Sequence, residues 1–243
     1  MVVGGGISGV QTALDLADSG FKVYLVERKP SIGGVMAQLD KTFPTNDCSM
    51  CILSPKLVEA ARNPMITIMT LSEVISVEGE APEFQVTVKK HPRYVSEERC
   101  VGCGLCAEKC PVKALNEYDL GLLQRKAIYV SYAQAVPMKY TIDAEKCLYL
   151  TKNRCGNCKK VCPADAIDYE QKETIETLNI GAIVLAPGYD VFDAKLKKEY
   201  GYGEFKNVVS SLEFERIMCA TGPFQGHVQR PSDHVSPKKV AFL

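Results

Sequence analysis

Apolar residues fall at Val10, Ala13, Leu14 and Ala17. That spacing puts them on one face of a helix over Val10–Ser19, and Gly20 is placed to end it. Met1–Val3 before the helix and Lys22–Val26 after it are short continuous apolar runs, the pattern of buried strands. The chain therefore opens β-α-β. Alternating apolar and polar positions at Met65–Thr70 and Phe84–Lys89 predict two strands paired with each other. Ala127–Val130, Met138–Ile142 and Gly181–Tyr189 read as further strands, and Ser211–Ala220 as a helix. Pro237–Leu243 reads as the opening of one more apolar strand. A first strand of three residues is shorter than the usual roughly five or six. With the last run stopping mid-strand, the chain is expected to be a piece of a longer protein, cut at both ends.

Glycine changes the picture first. Gly4, Gly6 and Gly9 form G-x-G-x-x-G between the first strand and the first helix, and Glu27 ends the second strand. In this setting Gly4 permits the tight turn, Gly6 lets backbone approach a pyrophosphate, and Gly9 lets helix and strand pack closely. The free N–H groups of the helix N-terminus face the phosphates, and Glu27 accepts from ribose hydroxyls. Arg28 follows at the strand end, and Gly33-Gly34 offers a second loop to lie against a cofactor. Ala186-Pro187-Gly188 resembles the strand end that closes the FAD domain of disulfide-reductase flavoproteins. The three features together resemble an FAD site rather than an NAD site.

Cysteine changes it again. Cys100, Cys103, Cys106 and Cys110, followed by Pro111, have the C-x2-C-x2-C-x3-C-P spacing of bacterial [4Fe-4S] ferredoxins. Cys147, Cys155, Cys158 and Cys162, followed by Pro163, repeat it with a first gap of seven residues. In two-cluster ferredoxins the fourth cysteine of each run ligates the other cluster. Cys100, Cys103, Cys106 and Cys162 are therefore assigned to one cluster, and Cys147, Cys155, Cys158 and Cys110 to the other. C-x2-C pairs also build zinc sites, but two C-x3-C-P endings with no histidine nearby point away from zinc. His91, His227 and His234 show no ligand spacing, and Cys219 reads as a buried small hydrophobe.

Charge and length add limits. Twenty-nine basic and 29 acidic residues balance, so nothing points to nucleic acid or an anionic membrane. No apolar run approaches the roughly 18 residues of a membrane span. Eleven cysteines without a leader suggest metal and redox use in a reducing, cytoplasmic compartment.

The runs GGGISG, VERKPSIGG, TFPTNDCSMCILSPK, QAVPMKYTID, GAIVLAPGY and RPSDHVSPKKVAFL, together with the cysteine-rich insert, resemble the A-type, flavin-bearing subunit of heterodisulfide reductase. The resemblance spans nearly the whole chain. It implies an α/β fold: a Rossmann-like FAD-binding domain of the disulfide-reductase type, with an inserted α+β two-[4Fe-4S] ferredoxin-like domain. The expected boundaries are 1–92 and 173–236 for the FAD domain, 93–172 for the insert, and 237–243 for the start of a second Rossmann domain. The resemblance also implies FAD, two [4Fe-4S] clusters, and bifurcation of electron pairs. The implied partners are other subunits of a heterodisulfide-reductase-like complex, a hydrogenase, formate or NADH input subunit, and ferredoxin. Two other functions fit the motifs: an NAD(P)H-dependent electron-entry flavoprotein, and a non-catalytic electron relay. Cys48-x2-Cys51 stays open between a flavin-facing redox dithiol, two ligands of a further cluster, and structural thiols, with the dithiol slightly favoured.

Overall fold

The computed structural model describes all 243 residues. The chain divides into two compact units. The first comprises Met1–Gly34, Leu53–Ala114 and Arg125–Gly188, and the second Val35–Ile52, Leu115–Gln124 and Tyr189–Leu243.

The first unit is built on a parallel sheet of four short strands in the order β13-β1-β2-β5: β1 (Val2–Val3), β2 (Val23–Val26), β5 (Ile66–Met69) and β13 (Val184–Leu185). Helix α1 (Ile7–Asp18) buries Val10, Ala13, Leu14 and Ala17, the stripe read from the sequence. It ends as a Schellman turn: Gly20, at φ +87°, donates to Ala17 O, and Phe21 donates to Leu16 O. Helix α2 (Ser49–Arg62) follows a two-residue ribbon, β3 (Lys41–Thr42) against β4 (Asp47–Cys48).

A three-stranded antiparallel sheet, in the order β12-β7-β6, joins β6 (Ser72–Glu78), β7 (Phe84–Lys90) and β12 (Thr174–Ile180). Here the sequence reading needs correction. Met65–Thr70 does form a strand, but β5 pairs in parallel with β2, with Val23 opposite Ile66. Phe84–Lys90 pairs instead with Ser72–Glu78 and Thr174–Ile180. Alternation reports a half-buried strand and says nothing of which edge it joins. Val86, Val88, Leu178 and Ile180 pack with Met1 and Val26 in one core.

The cysteine-rich region has its own core: Val95, Ala127, Ile128, Ile142, Ala166, Ile167 and Tyr169 among buried cysteines. The expected strands are present as β10 (Ile128–Tyr129) antiparallel to β11 (Thr141–Ile142). Short helices α3 (Leu105–Glu108), α4 (Leu148–Lys152) and α5 (Asn157–Lys160) carry the cysteine runs, and a small pair, β8 (Ala114–Leu115) with β9 (Gln124–Arg125), lies between them. This region is bonded to the loop after β2. Ile32 N–H donates to Val136 O at 2.9 Å, and the Tyr132 hydroxyl donates to Ile32 O. Buried Arg93 donates to Pro30 O at 2.8 Å, to Thr70 Oγ1 at 2.7 Å and to Lys139 O at 3.4 Å, and pairs with Glu97 at 3.1 Å.

In the second unit, α6 (Ser211–Met218) begins with a capping box between Ser210 and Glu213, worth about 1 kcal/mol. Arg216 on this helix is fully buried. It pairs with Asp119 at 3.0 Å, donates to Gln38 O and Thr221 O, and covers the Tyr118 ring at 4.5 Å. Cys219 is buried, as read from the sequence. Pro237–Leu243 is not a strand: no neighbouring strand pairs with it, and Val240, Phe242 and Leu243 are exposed. A strand's backbone groups need a ladder partner, which a run of apolar residues does not supply by itself.

Candidate cofactor sites

The glycine loop lies between β1 and α1. Gly4 sits at φ +111°, where a Cβ would stand 2.0 Å from Ala186 O of the β13 end. A Cβ on Gly9 would stand 1.9 Å from Gly4 O, so helix and turn touch through backbone. Gly6 differs from both. Its φ of −73° and ψ of 179° suit any residue, and a Cβ would meet only Gly34 Cα, at 3.9 Å. Nothing in the chain itself requires glycine at position 6. A phosphate brought against the backbone at the α1 N-terminus does require it, so the loop fits a dinucleotide.

Gly33 and Gly34 lie against this glycine loop. Gly33 N–H donates to Gly5 O at 2.7 Å, and a Cβ on Gly34, at φ +59°, would meet Gly6 Cα at 2.8 Å. Glu27 is buried, and its carboxylate accepts from Gly5 N–H at 2.7 Å and Lys29 N–H at 2.8 Å. Sequence reasoning assigned Glu27 to the ribose and missed this second role, clamping the glycine loop to the end of β2. Each carboxylate oxygen has a further lone pair for a ligand. Arg28 is exposed, and Gly188, at φ +75°, has open space around it.

The eight cysteines of the two runs line two cavities. One is walled by Cys100, Cys103, Cys106 and Cys162 with Val95, Tyr140 and Ile167. The other is walled by Cys110, Cys147, Cys155 and Cys158 with Ile128, Tyr149 and Tyr169. Each cavity takes three thiols from one run and the fourth from the other. The two halves repeat locally. Gly104 (φ +88°) precedes α3 and Cys106, and Gly156 (φ +91°) precedes α5 and Cys158. The second run's first gap has seven residues where the first run has two, a difference of five, and the five residues of α4 fill it.

No three His, Cys, Asp or Glu side chains converge on a single point. The thiols are spread around cavity walls, an arrangement that fits a cuboidal cluster with iron at its corners. Burial pushes the Cys106 thiol up to about 12 and the Cys158 thiol upward as well. Ala166 N–H donates to Cys162 Sγ at 3.3 Å, and Cys158 Sγ lies 2.9 Å from the Tyr169 hydroxyl.

In the second unit, Cys48 closes β4 and Cys51 sits in the first turn of α2. Cys51 N–H donates to Cys48 Sγ at 3.3 Å. The Cys51 thiol and that bond lower the Cys48 pKa, whereas the Cys51 thiol, donating to Cys48, is raised. Cys51 is exposed and Cys48 half-buried, and both are free thiols. Ser49 Oγ donates to Leu39 O at 2.5 Å and to Met36 O at 3.1 Å, which ties this turn to the preceding loop.

Residues 99–165 match the family of 4Fe-4S double cluster binding domains, and residues 1–49 match the FAD dependent oxidoreductase family. Over all 243 residues the chain is 54% identical to the iron-sulfur A-type subunit of CoB–CoM heterodisulfide reductase from Methanocaldococcus jannaschii, covering 36% of that protein. It is 53% identical to the A-type subunit of the H(2)/formate:CoB-CoM heterodisulfide,ferredoxin reductase of Methanococcus maripaludis, again covering 36%. Its identity to the A-type subunit of the ferredoxin/F(420)H(2)-dependent CoB-CoM heterodisulfide reductase of Methanosarcina acetivorans is 43%, with 30% of that protein covered. In each case the whole of this chain is matched, and it spans about a third of the curated relative's length. No helix is long and apolar enough to cross a membrane.

Proposed function

From a chain that is homologous over its whole length to part of the A-type subunit of heterodisulfide reductase, we propose a flavin and iron–sulfur electron-transfer segment of an oxidoreductase that acts on a disulfide. The observation that carries this reading is the pair of cavities, each walled by four thiols in the cross-run grouping of a two-cluster ferredoxin. FAD is proposed at Gly4, Gly6, Gly9, Glu27, Arg28, Gly33, Gly34 and Gly188, and one [4Fe-4S] cluster in each cavity. The inserted ferredoxin-like domain is taken as 93–172, within a FAD domain at 1–92 and 173–236, and 237–243 as the start of a second Rossmann domain.

Bound flavin supplies the exchange between two-electron and one-electron chemistry. The chain's own part is to hold and shield. The α1 N-terminus and Gly6 receive phosphate, Glu27 fixes the loop and accepts from the ribose, and apolar side chains around the cysteines limit water at the clusters. The name of the Methanococcus maripaludis relative, which joins hydrogen or formate, a heterodisulfide and ferredoxin, favours bifurcation, and the complex is proposed to be cytoplasmic. Two electron pairs then reduce two one-electron ferredoxin equivalents and cleave one disulfide to two thiols. The proposed partners are the other subunits of that complex, a hydrogenase-, formate- or NADH-linked input subunit, and ferredoxin. Iron, sulfide and flavin analysis of the anaerobically purified full-length protein tests the assignment. Stoichiometric zinc without iron sinks it.

Cys48 and Cys51 are proposed as a redox dithiol. Two thiols joined by hydrogen bonds at the start of a 14-residue helix favour a thiolate on Cys48. With its pKa lowered, Cys48 gains thiolate at lower pH than Cys51, so iodoacetamide near neutral pH should alkylate Cys48 first, as read by peptide mass spectrometry. Cys51→Ser should leave the iron content unchanged. A loss of roughly four irons would instead make the pair ligands of a further cluster.

A further inference from the structure

We infer that the Tyr169 hydroxyl is a positioning group for the cluster at Cys110, Cys147, Cys155 and Cys158, donating a hydrogen bond to the Cys158 sulfur and raising that cluster's reduction potential. The inference rests on the cluster assignment proposed above. Tyr169 Oη lies 2.9 Å from Cys158 Sγ. A thiolate bound to iron carries no proton, so the hydroxyl is the only group of the two able to donate. A hydrogen bond to a cluster sulfur favours the more negative, reduced state, because it stabilises electron density on the sulfur.

The hydroxyl is well held. Tyr169 is buried, and its ring stacks on Tyr149 with centroids 3.9 Å apart and planes 20° apart. The backbone beside it is fixed by Asp168 N–H donating to Tyr94 O at 3.0 Å. The other cavity has no counterpart. Tyr140 lines it but makes no hydrogen bond to a cysteine sulfur, and the sulfurs there receive backbone N–H groups, Ala166 on Cys162 and Ala107 on Cys106. Two sites built from the same ligands and the same Gly-helix turn thus differ in the hydrogen bonds to sulfur: a tyrosine hydroxyl on Cys158 in one, a backbone N–H on Cys162 in the other.

The test is a potentiometric titration of the full-length, iron-loaded protein, followed by electron paramagnetic resonance. Tyr169→Phe keeps the ring and its stack and removes only the donor. One cluster transition should move to lower potential and the other stay in place, while Tyr149→Phe moves neither. With iron content intact, unchanged potentials in Tyr169→Phe, or an equal shift in Tyr149→Phe, overturn the inference. Should Tyr169→Phe fail to assemble its clusters, 3-fluorotyrosine at position 169, a stronger donor, should move the same transition upward. No movement there overturns it equally. A wild-type chain that binds no iron overturns the cluster assignment itself, and this inference with it.

Discussion

Cys162→Ala should abolish the cluster held with Cys100, Cys103 and Cys106 and spare the one held with Cys147, Cys155 and Cys158. Iron should fall by roughly four per chain, by the ligand count of the ferredoxin pattern. The expectation runs against sequence proximity, because Cys162 is four residues from Cys158 and 56 from Cys106. It follows from the cavities: Cys162 shares a wall with the first run, and Cys110 with the second. Electron paramagnetic resonance of the reduced full-length protein reads the outcome. Cys162→Ala and Cys106→Ala should remove the same signal, and Cys110→Ala and Cys158→Ala the other. If Cys162→Ala and Cys158→Ala remove the same signal, the crossed grouping is wrong.

Gly6→Val and Gly9→Ala should fail in different ways. At Gly6 the backbone suits any residue and an added Cβ meets almost nothing, so Gly6→Val should fold as the wild type does. It should nevertheless purify with almost no FAD, because its side chain fills the space a pyrophosphate needs. At Gly9 a Cβ would stand 1.9 Å from Gly4 O, so helix or turn must move. Gly9→Ala should lower stability even without cofactor, by about 1–3 kcal/mol if the usual cost of overpacking applies. Flavin absorbance and thermal melting of the apoprotein, measured side by side in the full-length protein, separate the two. Normal FAD content in Gly6→Val would refute the dinucleotide assignment.

Much of this architecture was legible in the chain. The α1 stripe, the glycine loop and the crossed cysteine pairs each depend on local spacing, and spacing survives in a sequence. What depends on partners was not legible. Met65–Thr70 read correctly as a strand but joined β2 rather than Phe84–Lys90, since edge choice is settled by the whole sheet. Ser72–Glu78 was missed, because its irregular alternation includes a shift in register between Val74 and Ser76. Glu27 was read for its carboxylate and its distance from the glycines. That both oxygens are already engaged by Gly5 and Lys29 is a tertiary fact with no pattern of its own. The seven-residue gap after Cys147 looked like a departure from the motif, and in the structure it is one added helical turn.

The bonds from Ile32 to Val136 and from Arg93 to Pro30, Thr70 and Lys139 bear on how electrons travel. Many redox proteins carry a cofactor domain on a tether that swings between donor and acceptor, and their turnover is limited by that diffusion. In this chain the cysteine-rich region is instead bonded to the loop after β2. Its attachment to the loop after β2 is buried and multiply bonded, and releasing it would leave Pro30 O and Thr70 Oγ1 without the Arg93 guanidinium, which keeps Glu97 and Lys139 O on its own side. These bonds should therefore hold the proposed flavin loop and the proposed cluster sites at a constant separation. Under the proposed cofactor assignment, transfer across it should be insensitive to solvent viscosity.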